Sequence, residues 1–309
     1  MTFVVAVAGI SGRFGRCVVQ ELLKKPGILV RGLARDSSKV AAAIRSAPGF
    51  ELFEGDITDV DTTRKLVDGA DVVISALMGS DSFMFEAQKQ LIDISEAANV
   101  PRFIASDYTI DYTKLDYGQL PSKDPMKKIY AYLQGKTIKG VHVMIGAFLD
   151  TFWTQWFGAW DPQKLSLSFW GTGDEVWELT SYENTAEFVA EVALDKNATG
   201  IQRFVGDRIS IRGIAEVFAE VYGKKLSLKQ LGSLDDLKAR IDATNRDEDP
   251  MIWLPLFYQY YSSNGQTHNG PGTLNTSYPG LQHRDVKEYL DDHSLESLAT
   301  AMFTVGMKN

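Results

Sequence analysis

Gly9, Gly12 and Gly15 stand three residues apart in Gly9-Ile10-Ser11-Gly12-Arg13-Phe14-Gly15, directly after the apolar run Phe3 to Ala8. Glycines at this spacing let the backbone turn tightly and come close to a bound diphosphate. A helix opening at the turn would set the partial positive charge of its first amides against that anion. The run before the turn reads as a buried strand, and Cys17 to Lys25 reads as the helix after it, so the three glycines stand in the context of a dinucleotide fingerprint. The contacting set read from the turn is Gly9, Ser11, Gly12, Arg13, Phe14 and Gly15. A second strand, Ile28 to Ala34, ends at Arg35. An acidic residue at that place accepts a hydrogen bond from a ribose 2′-hydroxyl, whereas a guanidinium suits a 2′-phosphate through paired hydrogen bonds. Arg35, with Arg13 as a second contact, therefore points to NADPH/NADP; Asp36 is the competing acid, one residue beyond the strand end. Asp56 stands either beside the adenine or as a helix cap.

The elements that must position these groups alternate regularly. Phe50 to Glu54 reads as a third strand and Asp71 to Ala76 as a fourth. Arg102 to Ser106 and Val141 to Ile145 supply a fifth and a sixth. Helices are expected over Ser38 to Ser46, from the cap Thr58 to Asp61 up to Val67, over Phe83 to Ala98, and over Met126 to Leu133 behind Pro125. Repeated strand–helix–strand units build an α/β, Rossmann-like, doubly wound parallel sheet, with ligands at the carboxyl ends of its strands. That gathers the glycine turn, Arg35, Asp56, Ala76-Leu77 and Ser106-Asp107-Tyr108 around one crevice. After Gly146 the texture changes: Phe148, Phe152, Trp153, Trp156, Phe157 and Trp160 fall close together. Later a helix is expected from Thr180 to Leu194, a strand at Arg203 to Val205, and a helix from Ile211 to Tyr222. The expected organisation is a dinucleotide-binding domain over 1–150. A smaller α+β substrate domain covers 151–309, with some elements interleaved onto the first.

Composition narrows the partners. The chain has 309 residues, of which 44% are hydrophobic, and its 40 acidic against 32 basic side chains give a formal charge of −8. Such a balance speaks against a nucleic-acid surface, which depends on clustered Lys and Arg. A single cysteine excludes an internal disulfide framework, and four scattered histidines show no zinc-ligand spacing, so no metal is expected. No apolar stretch approaches the ~20 residues of a membrane span, and the chain starts in a strand without a basic leader. These features point to a soluble, cytoplasmic protein with a small-molecule substrate.

The glycine turn, Leu33-Ala34-Arg35, Glu54-Gly55-Asp56, Val73-Ile74-Ser75-Ala76, Pro101 to Asp107 and Gly146-Ala147-Phe148 together resemble the NmrA-like, isoflavone-reductase-like branch of the atypical short-chain dehydrogenases. Gly171 to Asp174, Leu179 to Tyr182 and Leu254 to Tyr261 resemble its fungal members. The resemblance spans nearly the whole chain. It implies an NADPH-dependent reductase of secondary metabolites, or a protein that binds the dinucleotide as a sensor and signals through a regulatory partner. It also implies a catalytic lysine early in the helix after the fifth strand. That turn reads Pro125-Met126-Lys127-Lys128; Lys128 is the expected residue and Lys127 the alternative, able to hold the nicotinamide ribose and donate a proton to a developing alkoxide. Tyr132 and Lys136 form a Tyr-x-x-x-Lys pair, read as accidental because Gly135 interrupts the helix between them. Asp107 is either an acid/base group or a cap beside a helix, and Tyr108 either donates a hydrogen bond to a substrate oxygen or packs under the loop. Tyr108, Phe148, Trp153 and Phe157 are candidates for contact with a flat or polycyclic substrate, although clustered aromatics also build cores. The expected activity is reduction of an apolar or polycyclic metabolite. The alternative is an isomerisation, cyclisation or rearrangement without net redox.

Overall fold

Runs of Val, Ile and Phe that could not stay in water build the strands of a central sheet. The computed structural model describes residues 2–270, 273, 277, 278 and 280–301. In its first half β1 (Phe3–Ala8), β2 (Ile28–Ala34), β3 (Phe50–Glu54), β4 (Val72–Ser75), β5 (Arg102–Ile104) and β6 (Lys139–Met144) alternate with helices. Those helices are α1 (Arg13–Leu23), α2 (Ala42–Arg45), α3 (Val60–Val67), α4 (Asp81–Ala97) and α5 (Asp124–Gln134). The second half adds β7 (Ala147–Phe148), α6 (Leu149–Phe152), β8 (Trp160–Asp161), β9 (Ser166–Trp170), β10 (Val176–Thr180), α7 (Tyr182–Leu194) and β11 (Gly200–Arg203). Then come β12 (Asp207–Ser210), α8 (Ile211–Tyr222), β13 (Ser227–Gly232), α9 (Leu234–Asp242) and α10 (Pro250–Ser263).

The large sheet has the order β11-β6-β5-β4-β1-β2-β3 and every neighbouring pair is parallel. Side chains alternate across it: Val5 and Val7 join the core under α1 and α7, while Ala6 and Ala8 join the core under α3, α4 and α5. The fold is a Rossmann-like doubly wound sheet with both faces covered. Two three-stranded sheets, β12-β10-β7 and β13-β9-β8, carry the second half. Their core collects Phe152, Trp153, Phe157, Trp160, Trp177 and Phe218 with smaller neighbours. The chain does not simply leave the first half behind, because β11 returns to the large sheet beside β6 and α7 packs on α1.

Several boundaries differ from the sequence reading for local reasons. The helix expected over Ser38 to Ser46 is broken: Asp36 accepts from the Ser38 amide to start a short 3₁₀ turn, Val40 is extended and buried, and α2 begins only at Ala42. Thr180 ends β10 rather than opening a helix, and Ser181 caps α7 by accepting from the Asn184 amide. The late strand lies at Gly200–Arg203, slightly earlier than expected. α10 was not anticipated, because its apolar and aromatic residues surround the helix and Pro255 lies inside it.

Candidate active site at the strand ends

The glycine turn closes against the loop after β4. Gly9 has φ +92°, and a Cβ added there would stand 2.5 Å from the Ala76 carbonyl oxygen. At Gly15 it would stand 2.3 Å from the Gly9 carbonyl oxygen and 3.2 Å from Ala76 Cβ. These two positions admit no side chain, so helix, turn and β4 loop meet backbone to backbone. Gly12 is the N-cap of α1, offers no side-chain acceptor, and donates its own amide to the Gly9 carbonyl at 3.1 Å. The first-turn amides of α1, beginning at Arg13, thus face the turn without a capping side chain, which fits a diphosphate. Ser11 lies partly exposed on the same turn.

Arg35 is exposed at the end of β2. Asp56, across the strand ends, accepts hydrogen bonds from the Thr58 amide and hydroxyl. Those bonds, with the nearby Arg35 charge, hold its carboxyl below the usual range. Arg13 turns elsewhere. It donates to Asp150 of α6 at 3.1 Å and lies 5.0 Å over the Tyr182 ring. Asp150 also accepts from the Tyr182 amide at the start of α7. Burial, reinforced by Glu183, pushes the Asp150 carboxyl up to about 6.

The loop after β5 holds its polar groups inward. Ser106 donates its hydroxyl to the Leu77 carbonyl and its amide to the Gln88 side-chain oxygen, so Leu77 and Ser106 are locked together at the crevice floor. Asp107 shares a 2.7 Å hydrogen bond with His142 of β6, and both side chains are buried. Its carboxylate braces the loop against the sheet. Tyr108 packs inward too, as the second of its two readings had it. It has φ +38°, its hydroxyl donates to the Ser75 carbonyl at 3.0 Å, and burial pushes that phenol well above its usual range. Its ring packs 4.4 Å from Phe14, which also meets Phe148 and Tyr182. Tyr108 is thus a packing group beneath the turn, and Phe14 and Phe148 are partly buried members of the same cluster.

Three lysines flank the start of α5. Lys128 is exposed, its ammonium 6.0 Å from the centroid of the half-buried Phe85 ring of α4. Lys127 is buried by structural contacts: it donates to the Asp116 carbonyl and reaches Asp124 at 3.4 Å. Neither is placed as the sequence reading expected. Lys123, which that reading passed over, is 6% exposed and lies 5.1 Å from the Tyr258 ring centroid under α10. Ser122 beside it meets the Tyr258 hydroxyl at 3.1 Å. No signal near Lys123 could have shown this, since the covering residue is far along the chain.

The Tyr132–Lys136 pair ties α5 to α4 instead of serving the crevice. Both side chains donate to Asp93, and Lys136 also reaches Glu96 at 3.0 Å. Burial opposes ionisation of Asp93, but hydrogen bonds from Lys136 and Tyr132 prevail and lower it to about 2. The Thr137 amide, then Lys136, lowers Glu96 to about 2. Depressed carboxylates contribute stability that is present above their unfolded values, roughly 4, and lost as pH falls toward 2. Glu96→Gln should therefore melt a few degrees below the parent at pH 7, and the gap should close by about pH 2. A gap that persists in acid-series melting curves would rule out the charge origin.

Trp153 and Phe157, expected against a substrate, are 0% and 3% exposed in the second core. Trp153 meets Phe152 and Trp160 edge-on, and Phe157 meets Trp177. They pack β8 against β10 within that core. The rings nearer the loop after β5 are Trp156 and Tyr258, 6.2 Å apart, with the Trp156 indole donating to the Met251 carbonyl of α10.

The NmrA-like family model matches residues 1–289. The chain belongs to the NmrA-like family. A bifunctional pinoresinol-lariciresinol reductase of Linum perenne is 23% identical over 310 residues, covering 93% of this chain and 97% of the relative. The isoflavone reductase homolog IRL of Zea mays is 37% identical over 113 residues, 35% of this chain and 36% of the relative. Among solved structures, AtPrR2 with NADP+ and (+)-pinoresinol superposes with a TM-score of 0.79 at 19% identity, covering 94% of this chain and 98% of the other. The Citrobacter sp. triphenylmethane reductase complexed with NADP(H) gives 0.73 at 17% identity, with 93% and 99% covered. No helix among the described residues of this NmrA-like chain is long and apolar enough to cross a membrane.

Proposed function

We propose that this NmrA-like protein is a cytoplasmic NADPH-dependent reductase of a small, apolar, multi-ring metabolite. The observation that carries the reading is the side-chain-free cradle of Gly9 and Gly15 beneath an uncapped α1, with exposed Arg35 at the end of β2. The relatives' names, and the NADP(H) complexes of similar fold, support it. When bound, the cofactor supplies the hydride. The chain's own residues hold and shield it: the turn receives the diphosphate, Arg35 the 2′-phosphate, and the locked Leu77–Ser106 floor sets the depth of the crevice. Lys123, beneath Tyr258, is the cation placed to stabilise an oxygen as it gains negative charge. Met78 in the loop after β4 and Tyr117 in the loop after β5 expose apolar surface, 58% and 61% respectively, that suits a ring-bearing substrate.

Incubation with 4-deuterated NADPH and a panel of multi-ring aromatic compounds beginning with pinoresinol tests this. Loss of NADPH absorbance together with deuterium in the product is the expected result. Product formed with no NADPH consumed and no deuterium incorporated would replace reduction by a rearrangement around a retained dinucleotide.

A further inference from the structure

Arg13 is the first residue of α1, on the glycine turn, yet its guanidinium reaches Asp150, 137 positions away. The sheet order gives this direction a meaning. Arg35 ends β2 on one side of β1, while Asp150 follows β6 and β7, on the other side of β1. Arg13 thus leans away from the 2′-phosphate side, from a backbone position at the first residue of α1. Asp150 is a built holder: its side chain is 1% exposed, it accepts from Arg13 at 3.1 Å, and it accepts from the Tyr182 amide at 2.8 Å. The Arg13 side chain remains 47% exposed, with Tyr182 beneath its guanidinium. A guanidinium has five N–H donors, so a single hydrogen bond to Asp150 leaves donors for an anion at the turn. A buried carboxylate is costly unless paired, and here the pairing joins the cofactor turn to α6 and α7.

We propose that Asp150 is a positioning residue that holds Arg13 over the open N-terminus of α1, where the guanidinium grips the diphosphate common to both nicotinamide cofactors. The assignment rests on the dinucleotide reading above and deepens it. Arg35 then discriminates between cofactors, whereas Arg13 serves both. The same clasp ties the glycine turn to α7, so the turn and the second half of the chain hold a common geometry when the diphosphate is bound.

Fluorescence titration of NADPH, NADH and 2′-AMP separates the roles without any need for turnover. Arg13→Gln changes a half-exposed side chain, and it should weaken NADPH and NADH by the same factor, about 10-fold or more, leaving 2′-AMP unchanged. Arg35→Ala should weaken NADPH and 2′-AMP but spare NADH. Asp150→Asn should weaken both dinucleotides in the parent and have no further effect in the Arg13→Gln background. Loss of NADPH affinity alone in Arg13→Gln would return Arg13 to the 2′-phosphate and overturn the proposal, as would unchanged affinity for both. An Asp150→Asn effect of equal size in both backgrounds would overturn the positioning role. Melting curves accompany each variant; if Asp150→Asn does not fold, the equality of the two Arg13→Gln factors decides. A parent protein that binds neither dinucleotide would sink the cofactor reading itself, an outcome distinct from a parent that binds and an Arg13→Gln variant that matches it.

Discussion

Gly15→Ala should cost this protein both stability and cofactor binding. The added Cβ would lie 2.3 Å from the Gly9 carbonyl oxygen and 3.0 Å from its carbon, so the turn or α1 must move. Neither is a flexible side-chain end. Moving α1 disturbs Val18, Val19 and Leu22, all fully buried against the sheet. Moving the turn pushes Gly9 into Ala76. Overpacking of this kind costs about 1–3 kcal/mol, which for a chain of this size lowers the melting temperature by several degrees. The loss of NADPH affinity should be larger, roughly 100-fold, because the amides that face the diphosphate lie on the displaced segment. Gly135→Ala is the matched control: its Cβ would meet only the Tyr132 carbonyl oxygen at 3.7 Å. Calorimetry and titration of the two variants check the claim, and a Gly15→Ala protein that binds NADPH as the parent does would refute the cradle.

The glycine turn was legible because its function depends on backbone and spacing, and both are local in sequence. The buried parallel strands were legible for a related reason: β1, β2 and β4 are short apolar runs bounded by turns, a pattern that survives without knowledge of neighbours. Arg35 needed only its place at a strand end. The second half resisted reading because its strands are as short as two residues, at Ala147–Phe148 and Trp160–Asp161. Its aromatic residues also carry no direction until their partners are known. Trp153 and Trp156 differ by three positions, yet the first lies in the core and the second reaches α10. Tyr108 shows the same limit at one residue. Its type suits proton donation, but its positive φ and the Ser75 carbonyl set its hydroxyl inward. Side-chain direction, rather than residue type, separated the crevice from the core.

Lys123 carries the other large expected effect, and it follows from that same limit. From sequence, Lys127 and Lys128 have the better claim, since they lie in the first turns of α5. In the fold, Lys128 lies by Phe85 in solvent, Lys127 is committed to Asp116 and Asp124, and α10 folds Tyr258 over Lys123. Placing a cation under an aromatic ring removes competing water and strengthens its interaction with a developing oxyanion. Burial, reinforced by Asp124, raises the carboxyl of Asp81 at the start of α4, while the charges of Lys123 and Lys128 oppose that rise. Lys123→Met keeps the bulk and removes the charge. It should leave the NADPH dissociation constant within about threefold and lower the rate of product formation by roughly 100-fold, the scale expected when a charge that stabilises a developing oxyanion is lost. Lys128→Met should stay within about twofold in both. Lys123→Arg should restore part of the rate, because a cation remains beneath Tyr258. Single-turnover measurements with deuterated NADPH separate the chemical step from product release. A Lys123→Met enzyme at full rate, with Lys128→Met inactive, would return the stabilising charge to the outer lysine and require α5 to turn during the reaction.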